Sequence, residues 1–175
     1  MKYHPMREEI KVLLVDDHPA LRAGLRGLIE DQEDLSVVAE AEDGAEAVVM
    51  TERHHPDVIL MDVVMFPVDG IEATARITAV DPNLPVLMIS GDMSVGHVAH
   101  SLRAGAVGYL VKGIEVSEIA DGIRKAYAGE LVLSDSVRRQ INSQVGRDLP
   151  FESRVTLLRE LGDTVELSTR ELQVL

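Results

Sequence analysis

The chain of 175 residues contains no cysteine and no tryptophan, and aromatic residues make up only 3% of it. Without cysteine there can be no disulfide, no thiolate metal site and no thiol nucleophile, a composition that suits a reducing cytoplasm, where the protein is expected to reside. Long apolar runs are missing as well. No stretch approaches the roughly 18 to 20 apolar residues that span a bilayer, and the opening MKYHPMREEIK carries charges with no apolar signal core behind them, so no membrane association is expected. Basic residues are scarce: 17 Lys and Arg stand against 30 Asp and Glu, a net charge of −13. Because phosphate backbones are bound by Lys and Arg, this stretch by itself is a poor nucleic-acid binder. With so few aromatics, the core must be filled by Val, Leu, Ile, Ala and Met, the usual content of a parallel sheet buried on both faces.

What is present is a regular alternation. Apolar runs of strand length, KVLLV (11–15), SVVAEA (36–41), DVIL (57–60), PVLMIS (85–90) and VGYLV (107–111), predict five strands. Between and after them, segments at 18–31, 43–54, 70–79, 94–104 and 115–129 carry apolar residues three and four apart and read as helices. Leu21, Leu25 and Leu28 form one such stripe; Ile119, Ile123 and Ala126 form another. Alternating strands and helices call for right-handed crossovers, giving an α/β fold with a five-stranded parallel sheet wound on both faces by helices. Beyond residue 131 no further strand run appears, and SDSVRRQINSQV, PFESRVTLLRELG and LSTRELQVL read as linker and helices. The expected division is a first domain over 9–131, a helical linker over 132–166, and the beginning of a second domain over 167–175.

Sheets of this kind bind ligands at the carboxyl ends of their strands. The first strand runs into Asp16 and Asp17, the third into Asp62 after Met61, the fourth ends in Ser90, and the fifth runs into Lys112. Three carboxylates, a hydroxyl and an ammonium therefore converge. Crowded carboxylates repel one another, and a hard divalent cation such as Mg2+ relieves that repulsion with one or two of them plus a phosphate. Phosphoryl transfer needs mainly positioning and charge neutralisation, so a carboxylate nucleophile flanked by a metal and a lysine is sufficient apparatus, with Asp62 as the central candidate. Taken singly, each residue has a plain structural use. An Asp after a strand commonly caps a helix or forms a turn, and Asp16 and Asp17 stand just ahead of Pro19 at a helix start. Their joint placement is what points to chemistry. Other residues carry no such pattern: His18 is expected on the surface, His54, His55, His97 and His100 receive no role, Met61, Met65 and Met88 read as core, and Asp69 as a helix cap.

The stretches VLLVDDHPALRAGLRGLI, PDVILMDVVM followed by VDGIEA, VLMIS, and LRAGAVGYLVK occur in this order over about residues 10 to 130. In this they resemble the receiver (CheY-like) family, and within it the NarL/FixJ class. The resemblance implies a flavodoxin-like receiver of a two-component response regulator. Asp62 would be the phosphoacceptor, with Asp17 holding Mg2+ directly and Asp16 through water, together with Asp62 and the Val64 carbonyl. Ser90 would be the switch hydroxyl, Tyr109 the aromatic that turns inward with it, and Lys112 the phosphate partner. A sensor histidine kinase would donate the phosphoryl group, and the receiver would catalyse its own modification without being a turnover enzyme. Phosphorylation would drive a homodimer, through the fourth helix, fifth strand and fifth helix or through the first and fifth helices. The sequence departs from the family pattern at Phe66, where a proline usually stands and Pro67 follows instead, and at Gly113, where many receivers have a proline after the lysine; no cis peptide is expected there.

Two rival readings come from other classes. An aspartate-nucleophile phosphatase uses a similar strand-end carboxylate but generally needs a second acid two residues on, where Val64 stands; a nucleotide-binding fold would need glycine-rich motifs that the sequence does not contain. A receiver acting as an interaction module without phosphorylation is the remaining alternative. At the carboxyl end, Ser168 and Glu171 of LSTRELQVL form an S-x-x-E capping box, and Leu172, Val174 and Leu175 follow as an apolar stripe. The segment resembles the opening of a LuxR-type helix-turn-helix domain, which would supply a DNA-binding, transcription-regulating output that this acidic stretch lacks.

Overall fold

The computed structural model describes residues 8–161. The elements in chain order are β1 (Ile10–Val15), α1 (Pro19–Glu30), β2 (Leu35–Ala41), α2 (Gly44–His54), β3 (Val58–Asp62), α3 (Gly70–Val80), β4 (Val86–Ser90), α4 (Val95–Arg103), β5 (Gly108–Val111), α5 (Val116–Tyr127), β6 (Val132–Leu133), α6 (Asp135–Gln144) and α7 (Phe151–Leu161). The strands pair in parallel in the order β2-β1-β3-β4-β5-β6. The sheet thus has six strands in the described residues where the sequence pattern predicts five. β6 escapes that pattern because two residues have no period to read; it exists because Val132 and Leu133 find rungs beside Gly108 and Tyr109 of β5.

Each strand is apolar on both sides because each side has its own core. Leu13, Val15, Ile59, Met61, Val86, Met88 and Tyr109 face one cluster, into which α2, α3, α4, α6 and α7 also project. Val12, Leu14, Val58, Leu60, Leu87, Ile89 and Leu110 face the other, closed by α1 and α5. This period-two division is why the strands read as continuous hydrophobic runs. Met61, Met65 and Met88 are core residues as expected. The α5 stripe of Ile119, Ile123 and Ala126 is buried, whereas on α1 the buried pair is Leu25 and Ile29 and Leu21 is 37% exposed. Leu21 lies one turn before Leu25, in the first turn of α1, and is left exposed there.

Helix starts follow local capping rules. Asp43 and Asp69 accept from the backbone N–H of Glu46 and Glu72, so Asp69 caps α3 as expected. For α1 the cap position belongs to His18, not to Asp16 or Asp17. The two linker helices are not detached from the sheet. Val137, Ile141, Val145, Val155 and Leu158 are buried in the same cluster as Val98 and Leu102 of α4, so α6 and α7 extend the core along one side of the molecule. No helix among the described residues is long and apolar enough to cross a membrane.

Candidate functional site

Strand register brings the strand-end residues together. Val15 is level with Met61, Asp62 with Ile89, and Ser90 with Val111, so Asp16, Asp62, Ser90 and Lys112 stand at the carboxyl ends of four adjacent strands. β1 sits at the point where the strand order reverses, between β2 and β3, which is where an open α/β sheet forms its crevice. Asp16 is fully buried and Asp62 and Ser90 nearly so.

Lys112 ties the site together. Its Nζ lies 3.0 Å from Asp16 Oδ2 and 3.1 Å from Asp62 Oδ2. Burial by itself would lower the ammonium's pKa, but the two carboxylates outweigh burial and hold it above its ordinary value. Asp62 shows the opposite balance: burial raises its pKa, the nearby Asp16 charge adds to that, and neither Lys112 nor the Val64 N–H fully offsets them. Gly113, immediately after the lysine, has φ +92°, a conformation glycine adopts without strain; it turns the chain into α5 directly behind the ammonium. Among the described residues the one cis peptide bond joins Phe66 to Pro67, in the loop after β3, and Phe66 projects into solvent.

Close approach also shapes the loop after β3. Gly70 packs so tightly under β3 that a Cβ there would lie 2.0 Å from the Asp62 carbonyl oxygen, and its N–H donates to the Val63 carbonyl. Asp16 is positioned from both sides. Its Oδ1 accepts the His18 N–H at 2.7 Å, and its carbonyl accepts from Arg22 Nη1 at 2.6 Å while the same guanidinium reaches Glu40 and Glu42 at the end of β2. Arg22 was not among the residues the sequence singled out; its signal is only an arginine one turn into the helix that follows the acid pair.

The acid cluster has the donor chemistry of a hard divalent cation. Ligand atoms of Asp16, Asp17, Asp62 and His18 all lie within 4.8 Å of one another. Asp16 Oδ2 is buried, and its partner among the described residues is the Lys112 ammonium 3.0 Å away. A buried carboxylate beside the more open Asp17 fits an oxygen-preferring ion that keeps several waters. His18 is largely exposed, as expected, with Nδ1 2.8 Å from Asp17 Oδ1.

Ser90 and Tyr109 lie beside this cluster. Tyr109 is fully buried and its hydroxyl donates to the Asp92 carbonyl; burial pushes its phenol up to about 12. The ring thus sits inside the core with no phosphoryl group present. Asp92 and His97, to which the sequence reading gave no role, form a further pair here, with His97 Nδ1 2.7 Å from Asp92 Oδ2. Five residues separate them across a loop and a helix start, a spacing with no recognisable period.

Known proteins resemble this chain in sequence and fold. Residues 12–124 match the response regulator receiver domain family. The chain is 38% identical over 170 residues to the transcriptional regulatory protein LiaR of Bacillus subtilis, an alignment covering 95% of this chain and 74% of LiaR. Among solved structures it resembles a LuxR-family two-component response regulator from Aurantimonas sp. SI85-9A1, at 32% identity and TM-score 0.75, covering 78% of this chain and 97% of that one. It also resembles a chain of the CheX-CheY-BeF3-Mg2+ complex from Borrelia burgdorferi, at 28% identity and TM-score 0.61, covering 65% and 86%.

Proposed function

The chain belongs to the response regulator receiver domain family of two-component systems, and from that premise we propose that Asp62 is its phosphoacceptor. The observation that carries the reading is the Lys112 ammonium, held 3.1 Å from Asp62 Oδ2 at the end of the central strand. One Asp62 carboxylate oxygen attacks phosphorus as the phosphorus–nitrogen bond to the kinase histidine breaks; the phosphoryl group ends on Asp62 as an acyl phosphate and the imidazole leaves with the bonding electron pair. Lys112 stays protonated throughout and turns toward the incoming phosphoryl oxygens, and Ser90 offers its hydroxyl to another of them. Asp16, Asp17, Asp62 and the Val64 carbonyl are the groups that would hold Mg2+, which supplies neutralisation of the phosphoryl charge when bound. Burial raises the pKa of Asp62, and the Lys112 ammonium works against that rise, favouring the ionised, nucleophilic form.

We further propose the division into a receiver over 9–131, a helical linker over 132–166 and the start of a DNA-binding domain over 167–175. The last segment lies outside the described residues. In this reading the output is transcription regulation in the cytoplasm, as the name of LiaR suggests, with DNA bound by the helix-turn-helix unit and not by residues 8–161. Because α7 already covers part of α4, the dimer formed on phosphorylation uses α1 and α5, where Leu21, Val116 and Tyr127 are exposed. Intact-mass spectrometry after incubation with acetyl phosphate and Mg2+ tests the central step: one acid-stable, base-labile phosphoryl group per chain is expected, lost in Asp62→Asn. A receiver that signals without phosphate is the second reading, favoured by Tyr109 being seated inward; failure of the wild-type chain to take up phosphate decides for it.

A further inference from the structure

The loop between β4 and α4 is organised around Asp92, which engages four partners at once. Its N–H donates to Ser90 Oγ at 3.1 Å and its carbonyl accepts from the Tyr109 hydroxyl. Its Oδ1 accepts the Ser94 N–H at 2.7 Å, and its Oδ2 lies 2.7 Å from His97 Nδ1 in the first turn of α4. The Ser94 N–H, working against burial and assisted by His97, holds the Asp92 carboxyl below the ordinary carboxylate range. The carboxylate is therefore ionised at neutral pH and can only accept, so the hydrogen between the two side chains is carried by His97 Nδ1. With one oxygen held by Ser94 and the other by His97, the Asp92 side chain is anchored to the start of α4. Its main chain is left with one geometry, in which the N–H meets Ser90 and the carbonyl meets Tyr109.

We propose that His97 is a positioning residue: through Asp92 Oδ2 it fixes the β4–α4 loop so that the Asp92 carbonyl keeps Tyr109 seated inward beside Ser90. Its functional meaning rests on the phosphoacceptor reading, since Ser90 and Tyr109 are the groups that the phosphoryl group would reorganise. A clasp outside the acid cluster then sets the balance between inward and outward tyrosine before phosphate arrives, and the receiver starts biased toward its switched arrangement. The pair is well exposed, 39% for His97 and 45% for Asp92. Contacts of that kind shift an equilibrium by up to about five-fold, so this one biases the ring without locking it.

The test reads Tyr109 directly, with no phosphodonor present. In the wild-type chain, phenol absorbance against pH is expected to show a late step, near 12, for Tyr109. In His97→Ala that step moves down by up to about 0.7 of a pH unit, the equivalent of up to about five-fold weaker retention of the ring. His97→Gln, whose amide can still donate to Asp92, restores it, and Tyr109→Phe removes the step and so identifies it. Acetyl phosphate uptake, measured next on the same proteins, slows by a similar factor in His97→Ala. A Tyr109 step unchanged in His97→Ala overturns the proposal. Loss of uptake in every protein, wild type included, overturns the phosphoacceptor reading instead, while a Tyr109 step that moves in His97→Ala leaves the clasp standing.

Discussion

At the residue scale the site is a balance of buried charges, and removing one of them has a calculable sign. Asp62 has a raised pKa in the fold, chiefly from burial, so the folded chain disfavours its ionised form relative to the unfolded chain. The stability associated with its protonated form is fully present below the ordinary Asp range and lost as pH rises through the raised value. Asp62→Asn is therefore expected to abolish phosphate uptake while raising the melting temperature at pH 7, with the gain vanishing below about pH 4; melting curves at the two pH values check it. Asp17 has a different part. On the proposed reading, Mg2+ would bind only the folded acid cluster and so stabilise it by mass action. In Asp17→Ala the Mg2+-dependent rise in melting temperature should disappear, and an undiminished rise would remove Asp17 from the metal site. The site was legible at this scale because five chemically distinctive residues stand at or just past the ends of four strands. Arg22 and His97 were not, because their roles depend on which carboxylates the fold carries to them.

At the element scale, two close contacts decide whether the acceptor strand and the linker hold their places. Gly70 opens α3 against the back of β3, with no room for a Cβ beside the Asp62 carbonyl. Gly70→Ala must push the acceptor loop away, at a cost of about 3 kcal/mol. Chemical denaturation measures that loss, and phosphate uptake should fall with it, since the peptide displaced is that of the acceptor itself. α7 is the other case. Leu158 is fully buried with Val155 against the α4 side of the core, so Leu158→Ala should destabilise the whole receiver by roughly 2 to 5 kcal/mol. A single cooperative unfolding transition with a lowered urea midpoint is the expected result. A loss confined to a separate early transition would mean that α7 unfolds independently of the sheet.

The whole molecule has a pH limit of its own on the alkaline side. Tyr109 ionises only near 12 in the fold, against about 10 in the unfolded chain. Its contribution is fully present below the unfolded value and is lost as pH rises through the folded one, because unfolding then releases a proton. Over about pH 10 to 12 the chain should lose roughly 3 kcal/mol from this group, and Tyr109→Phe should flatten that slope in a series of melting curves. Net charge sets the molecule's other property. With −13 overall, the receiver with its linker should show no measurable affinity for duplex DNA at physiological salt, checked by fluorescence anisotropy. Light scattering with and without beryllofluoride and Mg2+ should show a monomer becoming a dimer.

The sequence by itself determined the layered α/β architecture, the five principal strands and five helices, and the identity of the strand-end residues. These follow from hydrophobic periodicity and chain order, which are local. Tertiary structure decided what depends on distant segments meeting. β6 is a strand because β5 offers it free backbone groups, and Leu21 is exposed in the first turn of α1 although it continues the stripe of Leu25 and Ile29. α6 and α7 are core elements because α4 presents an apolar surface to them. Lys112 shares its charge between Asp16 and Asp62 because the register of β1, β3, β4 and β5 sets four strand ends in one row. Tyr109 sits inward because a loop carbonyl, anchored by Asp92 and His97, receives its hydroxyl. Periodicity along one segment carries no information about which partner arrives from another, and most of the site's electrostatics comes from such arrivals.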